Sequence, residues 1–233
     1  MFKALSRALT SRTGPILTGV AVGILAPLLT FWGNPGNMGI CVACFTRDIA
    51  GALGLHRAAT VQYIRPELAG FILGSFISSL IYGEYKPRTG SSPIVRFFLG
   101  FFAMIGALVF LGCPWRAYIR LSAGDLNAIP GIVGLAIGIV IGIAFLWHGF
   151  SLGRNYPAKK ALGYIMPAVA MTLLVFVLLR PSFGPEGASA IFFSKEGPGS
   201  MAAPVALSLL VGLLVGFLAQ RSRFCTVGAL RDL

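Results

Sequence analysis

Four cysteines are the residues of this chain best suited to chemistry, and three of them are closely followed by an arginine. These three cases are Cys41 with Arg47, Cys113 with Arg116, and Cys225 with Arg231. A thiol is a weak hydrogen-bond donor, and the arginine guanidinium is a permanent positive charge with several donors. Soft thiols beside arginines favour a soft anionic solute that contains sulfur or selenium.

A Cys-x5-Arg-Asp motif occurs twice, and each copy follows a similar apolar segment. The fixed residues of the two copies are Cys41, Arg47 and Asp48, and Cys225, Arg231 and Asp232. The preceding segments, 17–26 and 210–219, carry glycines at matching positions. Internal repeats in an apolar chain are typical of transporters built from two related halves. The two cysteines are therefore predicted to be equivalent thiols of a substrate pathway, and each aspartate is predicted to form a structural charge pair with the arginine beside it.

The spacing Cys41-x-x-Cys44 has two other interpretations, a redox-active dithiol or half of a metal site. The chain has no second Cys-x-x-Cys, and His56 and His148 are its only histidines. No metal and no cofactor is therefore predicted. Gly228 stands where the second copy would carry its counterpart of Cys44, so we interpret Cys44 as an addition to the pathway. A free cysteine can also be only a small buried hydrophobic residue.

Composition indicates a membrane protein. The 233 residues are 56% hydrophobic and 11% charged, with a mean hydropathy of +0.84, whereas a soluble protein has about 25% charged residues. Several charge-free runs are long enough for a membrane helix of about 20 residues. The sequence predicts an all-α integral membrane protein, not an enzyme, with about six transmembrane helices. These are expected near residues 14–32, 66–83, 94–112, 130–150, 162–180 and 202–220.

Two breaks beside these spans predict additional re-entrant half-helices. Residues 33–39 are rich in glycine and asparagine, yet the charge-free sequence continues to residue 46. A turn followed by a short apolar run is typical of a segment that enters the membrane without crossing it. A half-helix that starts near Asn37 would direct free N–H groups at an anion. The second break is the segment 112–116, and ordinary loops are the alternative in both places.

We interpret the net charge of +12 as basic residues that set the orientation of the protein in the membrane, and not as a nucleic-acid-binding surface. Basic residues flank the spans as the positive-inside rule requires, which predicts a multi-pass membrane protein with a cytoplasmic N-terminus. Five arginines fall on the outer side against this rule, and the motifs must account for them. They are Arg47, Arg57, Arg65, Arg116 and Arg120.

The span count predicts how the two repeat copies are related. Five spans separate their starts, and an odd number indicates an inverted-topology repeat; if one span is miscounted, the repeat is parallel. Residues 1–195 would form the first repeat and 196–233 a truncated start of the second. Two complete copies would need roughly 360–400 residues. We therefore expect this chain to insert but not to transport alone, because Gly212 and Gly216 would present a small-residue face with no helix to meet.

Three motifs resemble those of the YeeE/YedE family of sulfur transporters. They are residues 39–48 (GICVACFTRD), 112–116 (GCPWR) and 223–232 (RFCTVGALRD). Residues 33–39 (GNPGNMG), 54–57 (GLHR) and 63–67 (YIRPE) are similar to the YedE branch associated with selenium metabolism. The resemblance covers nearly the whole chain. It implies import of thiosulfate or a selenium species across the bacterial inner membrane through a thiol-lined pathway, with a cytoplasmic sulfur-carrier protein as a partner.

Two other classes of function remain open. One is a membrane thiol–disulfide oxidoreductase that uses Cys41 and Cys44 with a quinone. The other is a non-transporting membrane accessory protein for selenoenzyme assembly, which would bind its partner through residues 181–201. Uptake of a labelled sulfur or selenium anion distinguishes a transporter from both of these classes.

Overall fold

The computed structural model describes residues 9–36, 38–110, 112–181 and 191–231 and is mostly helical. Two of the predicted site residues, Asn37 and Asp232, lie outside the described residues. In chain order the helices are α1 (Gly14–Phe31), α2 (Val42–Ala52), α3 (Pro66–Ile81), α4 (Pro93–Val109), α5 (Pro114–Ser122), α6 (Ala128–Trp147), α7 (Lys160–Gly163), α8 (Ile165–Leu179), α9 (Val205–Ser222) and α10 (Thr226–Arg231).

Five helical segments are long and apolar enough to cross a membrane. They are Gly14–Phe31, Pro93–Ser122, Ala128–Trp147, Lys160–Leu179 and Val205–Gly228. The remaining predicted span, 66–83, corresponds to α3, which is also apolar but has only 16 residues. Length and composition therefore identify a helical membrane protein.

Two short strands depart from the all-helical prediction. β1 (Arg88–Gly90) pairs antiparallel with β2 (Asn155–Pro157), with Thr89 opposite Tyr156. Each strand has three exposed residues, which is too short for an alternating pattern to be visible in the sequence. The pair joins the segment before α4 to the segment after α6.

The half-helix after α1 begins later than predicted. Its first residue is Val42, not a residue near Asn37, and it continues to Ala52. Gly39 has a φ of +38°, a conformation that glycine adopts readily, and Cys41 is extended and caps the helix. The second break is followed at once by a nine-residue helix, α5, whose first residue is Pro114, a favoured position for proline.

The tightest packing in the molecule joins α3 and α9. A β-carbon on Gly212 would overlap the carbonyl oxygen of Glu67, and one on Gly216 would overlap that of Phe71. The expectation that these two glycines lack a partner helix is therefore wrong, because α3 is their partner. Their small size lets the two backbones approach closely, as is common between membrane helices. The sequence shows the small-residue face but not the helix that it meets.

This contact gives a first prediction, that Gly216→Val destabilises the protein. The added side chain must push α9 away from α3, and overpacking of this kind costs about 1–3 kcal/mol. Gly138→Val on α6 is the matched control, since no described atom lies within 4 Å of a β-carbon placed there. Thermal unfolding in detergent should give a lower midpoint for Gly216→Val only. Equal midpoints for both variants would contradict the packing.

Candidate functional site

Three of the four cysteines meet where two short helices begin. Cys41 is the N-cap of α2, and Cys113 is the N-cap of α5. Cys41, Cys44 and the neighbouring Phe45 form a buried cluster against which Cys113 packs. The first turn of a helix has free N–H groups and carries partial positive charge. The three thiols therefore occupy a place where two helix N-termini add positive potential.

Cys41 and Cys44 lie side by side in this cluster. Their sulfur atoms are 2.7 Å apart, with the Cys41 thiol placed to donate. The backbone N–H of Cys44 also donates to the Cys41 sulfur at 3.4 Å, which caps α2. Arg116 of α5 donates through Nη1 to the Cys44 sulfur at 3.3 Å. The arginine of the segment 112–116 therefore contacts a cysteine of the segment 39–48.

Cys113 completes the cluster from the opposite helix. Its side chain is within hydrogen-bonding reach of Cys41 and of the backbone N–H groups of Val42, Ala43 and Arg116. Val42 and Ala43 are the first two residues of α2, so the sulfur sits on N–H groups that the helix leaves free. A sulfur atom already occupies the kind of position that an anion favours. Among the described residues, no group of three or more ligating side chains is arranged as a metal site.

Cys225 repeats the local geometry of Cys41 at the end of the described chain. The backbone N–H of Gly228 donates to the Cys225 sulfur at 3.3 Å, as the N–H of Cys44 does to Cys41. Cys225 is exposed, however, whereas Cys41 is fully buried. The rings of Phe224 and Trp115 lie 5.8 Å apart, which places the second copy of the motif against α5 but outside the cluster of three thiols. Arg231 is the last residue of α10.

Asp48 is fully buried between two arginines. Arg47 donates to Oδ1 through Nη2 at 2.7 Å and through Nε at 3.1 Å. Arg65 donates through Nε to Oδ2 at 2.9 Å. The neighbouring pair of the motif is therefore in contact, and the guanidinium of Arg47 contacts a carboxylate. The second partner, Arg65, is not part of the motif.

Arg65 links three parts of the chain. Besides Asp48, it donates to the carbonyl oxygens of Pro198 at 2.7 Å and Met201 at 3.0 Å. Its guanidinium carbon lies 4.9 Å from the centre of the Tyr63 ring. Both Arg65 and Asp48 have no exposed side-chain surface. In the sequence, Arg65 is one of the exceptions to the charge rule and part of the segment 63–67, and it lies directly before the proline that starts α3.

The remaining exceptional arginines also have partners. Arg120 donates to Asp125 at 2.7 Å and to the carbonyl oxygen of Phe110 at 3.1 Å. This hydrogen bond from Arg120 holds the pKa of Asp125 below its usual range. Arg57 lies 6.0 Å from the ring centre of Phe192. Local partners therefore account for arginines that the positive-inside rule does not.

Comparison with known proteins gives a family but no activity. No family model matches the chain, and no solved structure matches it. An uncharacterized protein of the archaeon Methanocaldococcus jannaschii is 30% identical over 97 residues, which cover 37% of this chain and 92% of that protein. The fold and the thiol cluster define a helical membrane protein with thiols at helix N-termini. Within this class, the chain belongs to the family of the Methanocaldococcus protein.

Proposed function

We propose that the protein moves a sulfur- or selenium-containing anion across the bacterial inner membrane along a thiol-lined pathway. The observation that carries this proposal is the meeting of Cys41, Cys44 and Cys113 at the N-termini of α2 and α5, beside Arg116. An anion that leaves water needs donors and positive potential to replace its hydration. This site offers both from fixed backbone and side-chain groups.

The broken helices support transport more than a purely structural role. Non-helical backbone at membrane depth is tolerated where protein buries it or where it lines a hydrated cavity. Transporters use such breaks to point half-helix N-termini at an anionic group near the membrane midplane. The breaks before α2 and α5 are of this kind, and the Pro93–Ser122 segment contains the second one.

The substrate class follows from the donors. A thiol is a soft, polarizable donor, so it discriminates less against the large sulfur or selenium atom of an anion than a hydroxyl would. Thiosulfate is the simplest anion with such an atom, and selenium species are the alternative that the YedE-like segments suggest. A cytoplasmic sulfur-carrier protein would receive the imported atom.

The inverted-topology repeat is part of the proposal. The matched capping bonds at Cys41 and Cys225 and the contact of Phe224 with Trp115 support two related copies that lie close together. Their approach from opposite sides follows if the 16-residue α3 is counted as a span. The N-terminus would then be cytoplasmic. In α4 no residue is buried and in α6 only Ala128 is, so both helices would face lipid or further helices.

If the two copies of the repeat enter the membrane from opposite sides, Cys113 and Cys225 should be accessible from opposite faces of the membrane. An impermeant maleimide added outside intact cells should label Cys113, which is partly exposed, but not Cys225. Inverted vesicles should give the reverse pattern, and thiosulfate should slow the labelling of Cys113. The variants Cys113→Ser and Cys225→Ser identify which thiol reacts. Labelling of both thiols from one face would mean that the repeat is not inverted.

Uptake tests the function itself. The reason for expecting no transport by this chain alone was an unpartnered glycine face, and α3 meets that face. Cells that express the protein and lack their own thiosulfate importers should therefore accumulate radiolabelled thiosulfate, and selenite and selenide should be compared in the same cells. Cells that carry the empty vector give the background. Uptake at the background rate for all three compounds would contradict the proposal.

The second candidate is a membrane thiol–disulfide oxidoreductase, which the 2.7 Å separation of the Cys41 and Cys44 sulfurs favours. In that reaction the two thiols lose two electrons and two protons to a quinone and form a disulfide. Cys113 lies close enough to the pair to resolve it. Reduction of added quinone by the pre-reduced protein, with loss of two free thiols and without solute accumulation, would support this candidate over transport.

A further inference from the structure

We infer that Glu67 takes up and releases a proton during each transport cycle, so that anion import is coupled to proton import. This inference rests on the transport function proposed above. Glu67 lies in the first turn of α3, and only 3% of its surface is exposed. Neither copy of the Cys-x5-Arg-Asp motif contains it, although it is the last residue of the segment 63–67.

One carboxylate oxygen of Glu67 is well bound. Oε1 accepts hydrogen bonds from Nδ2 of Asn34 at 2.7 Å and from Oγ of Ser208 at 2.9 Å. Oδ1 of Asn34 accepts in turn from the backbone N–H of Ala203 at 2.9 Å, which fixes the amide orientation. The first turn of α3 adds positive potential from its free N–H groups. These contacts stabilise the ionised carboxylate.

The other carboxylate oxygen has no such support. Oε2 is buried and has no hydrogen-bond partner among the described residues. The nearest arginine in sequence, Arg65, is committed to Asp48 and to two carbonyl oxygens. A buried carboxylate without a paired cation is costly, and a proton on Oε2 removes that charge. The hydrogen bonds therefore support the ionised form through Oε1, whereas Oε2 is the oxygen at which a proton would remove the charge.

Glu67 also lines a small internal cavity whose lining residues neighbour the thiol cluster. The other lining residues are Ile40, Val42, Phe45, Leu68, Phe71, Val211, Gly212 and Val215. Ile40 and Val42 flank Cys41 in the chain, and Leu68 packs against the thiol cluster. The cavity volume of about 10 Å³ is near the lower limit for one water molecule. Glu67 is the one polar side chain among the described residues that line this cavity.

The groups that face Glu67 from the neighbouring helices are neutral or apolar. The end of α1 presents Asn34, and α9 presents Ser208, neither of which titrates. From α2, the cavity is lined by Val42 and Phe45, which are apolar. Tyr63 and Arg65 precede Glu67 on its own segment, and the thiols lie beyond Ile40 and Val42. Because the inside-negative potential opposes anion entry, one proton carried on Glu67 offsets one negative charge of the substrate.

The test uses Glu67→Gln in proteoliposomes with radiolabelled thiosulfate. Glutamine keeps an oxygen for Asn34 and Ser208 and mimics the neutral acid, but it cannot release a proton. In the wild type, an inward proton gradient should raise the initial uptake rate about tenfold. Glu67→Gln should lose this stimulation yet still exchange internal for external thiosulfate, since exchange needs no change in protonation. Glu84→Gln is the matched control, because Glu84 pairs with Arg221 and Arg223 away from the cavity.

The possible outcomes are distinct. Wild-type uptake that ignores the proton gradient, or that follows a sodium gradient, would overturn the inference while leaving transport intact. Gradient-stimulated uptake in Glu67→Gln would overturn it as well. Absence of thiosulfate exchange in the wild type would overturn the transport function and this inference with it. If Glu67→Gln does not fold, wild-type vesicles loaded with a pH dye decide, because adding thiosulfate should acidify their interior and a constant pH would refute coupling.

Discussion

Arg65→Leu should leave little folded protein in the membrane, the largest stability effect that we expect from any single substitution. Arg65 is fully buried and satisfies Oδ2 of Asp48 as well as the carbonyl oxygens of Pro198 and Met201. Removing one partner of a buried ion pair costs about 3–5 kcal/mol because the other charge stays buried. Proteins are stable by only about 5–15 kcal/mol in total, so this loss is a large fraction of the whole.

The yield of monodisperse protein after detergent extraction measures this effect, together with its unfolding midpoint. Arg47→Leu should be milder, because 21% of the Arg47 side chain is exposed and Asp48 would keep Arg65. Arg57→Leu is the control, since Arg57 is exposed and contacts only an aromatic ring in the described part of the chain. If Arg65→Leu gives the same yield as Arg57→Leu, the buried pair does not hold the fold together.

A double substitution distinguishes the contribution of the Asp48–Arg65 ion pair from that of the other contacts of Arg65. Asp48→Asn should lower stability by itself, and the combination with Arg65→Leu should cost less than the sum of the two single changes. Residues in direct contact show coupling free energies of about 0.5–3 kcal/mol in such cycles. Additive effects would mean that Arg65 acts through the carbonyl oxygens of residues 198 and 201, and not through Asp48.

The helices follow from local sequence, whereas the polar network does not. Charge-free runs and proline positions such as Pro66, Pro93 and Pro114 predict where the helices lie, because these signals act within a few residues. The buried carboxylate of Glu67 depends on Asn34 after α1 and Ser208 in α9, which are brought together only by folding. No spacing in the sequence relates these positions.

The thiol cluster could be predicted in part from the sequence, less fully than the helices but better than the polar network. The repeat identified Cys41 and Cys225 as related positions, and the break at Cys113 was visible from its glycine and proline neighbours. The hydrogen bond from Arg116 to Cys44, however, depends on the position of α5 relative to α2, which the sequence does not show. The start of α2 was also missed, because the capping role of Cys41 depends on backbone geometry at Gly39 and Cys41 and not on residue type alone.

Cys41→Ala should abolish thiosulfate uptake while leaving membrane insertion intact, the largest functional effect that we expect. Cys41 stands at the centre of the cluster, within reach of both Cys44 and Cys113, and its sulfur is also the cap of α2. A hydrogen bond to a charged group contributes about 1.5–3 kcal/mol, so losing one such contact to the anion in the transition state corresponds to roughly a 10- to 100-fold slower rate. Loss of the cap adds disorder at the N-terminus of α2, where the N–H groups that would hold the anion lie.

The comparison with Cys44→Ala distinguishes the two functions proposed for the site. For transport, Cys44→Ala should be milder, because the second copy of the repeat has glycine at that position. For a dithiol reaction, both sulfurs are needed to form the disulfide, so the two variants should lose activity equally. Initial uptake rates, normalised to the amount of protein in the membrane, give the answer. Equal losses in both variants, together with quinone reduction by the wild type, would replace the transport proposal with the redox one, whereas normal uptake in Cys41→Ala would remove Cys41 from the pathway altogether.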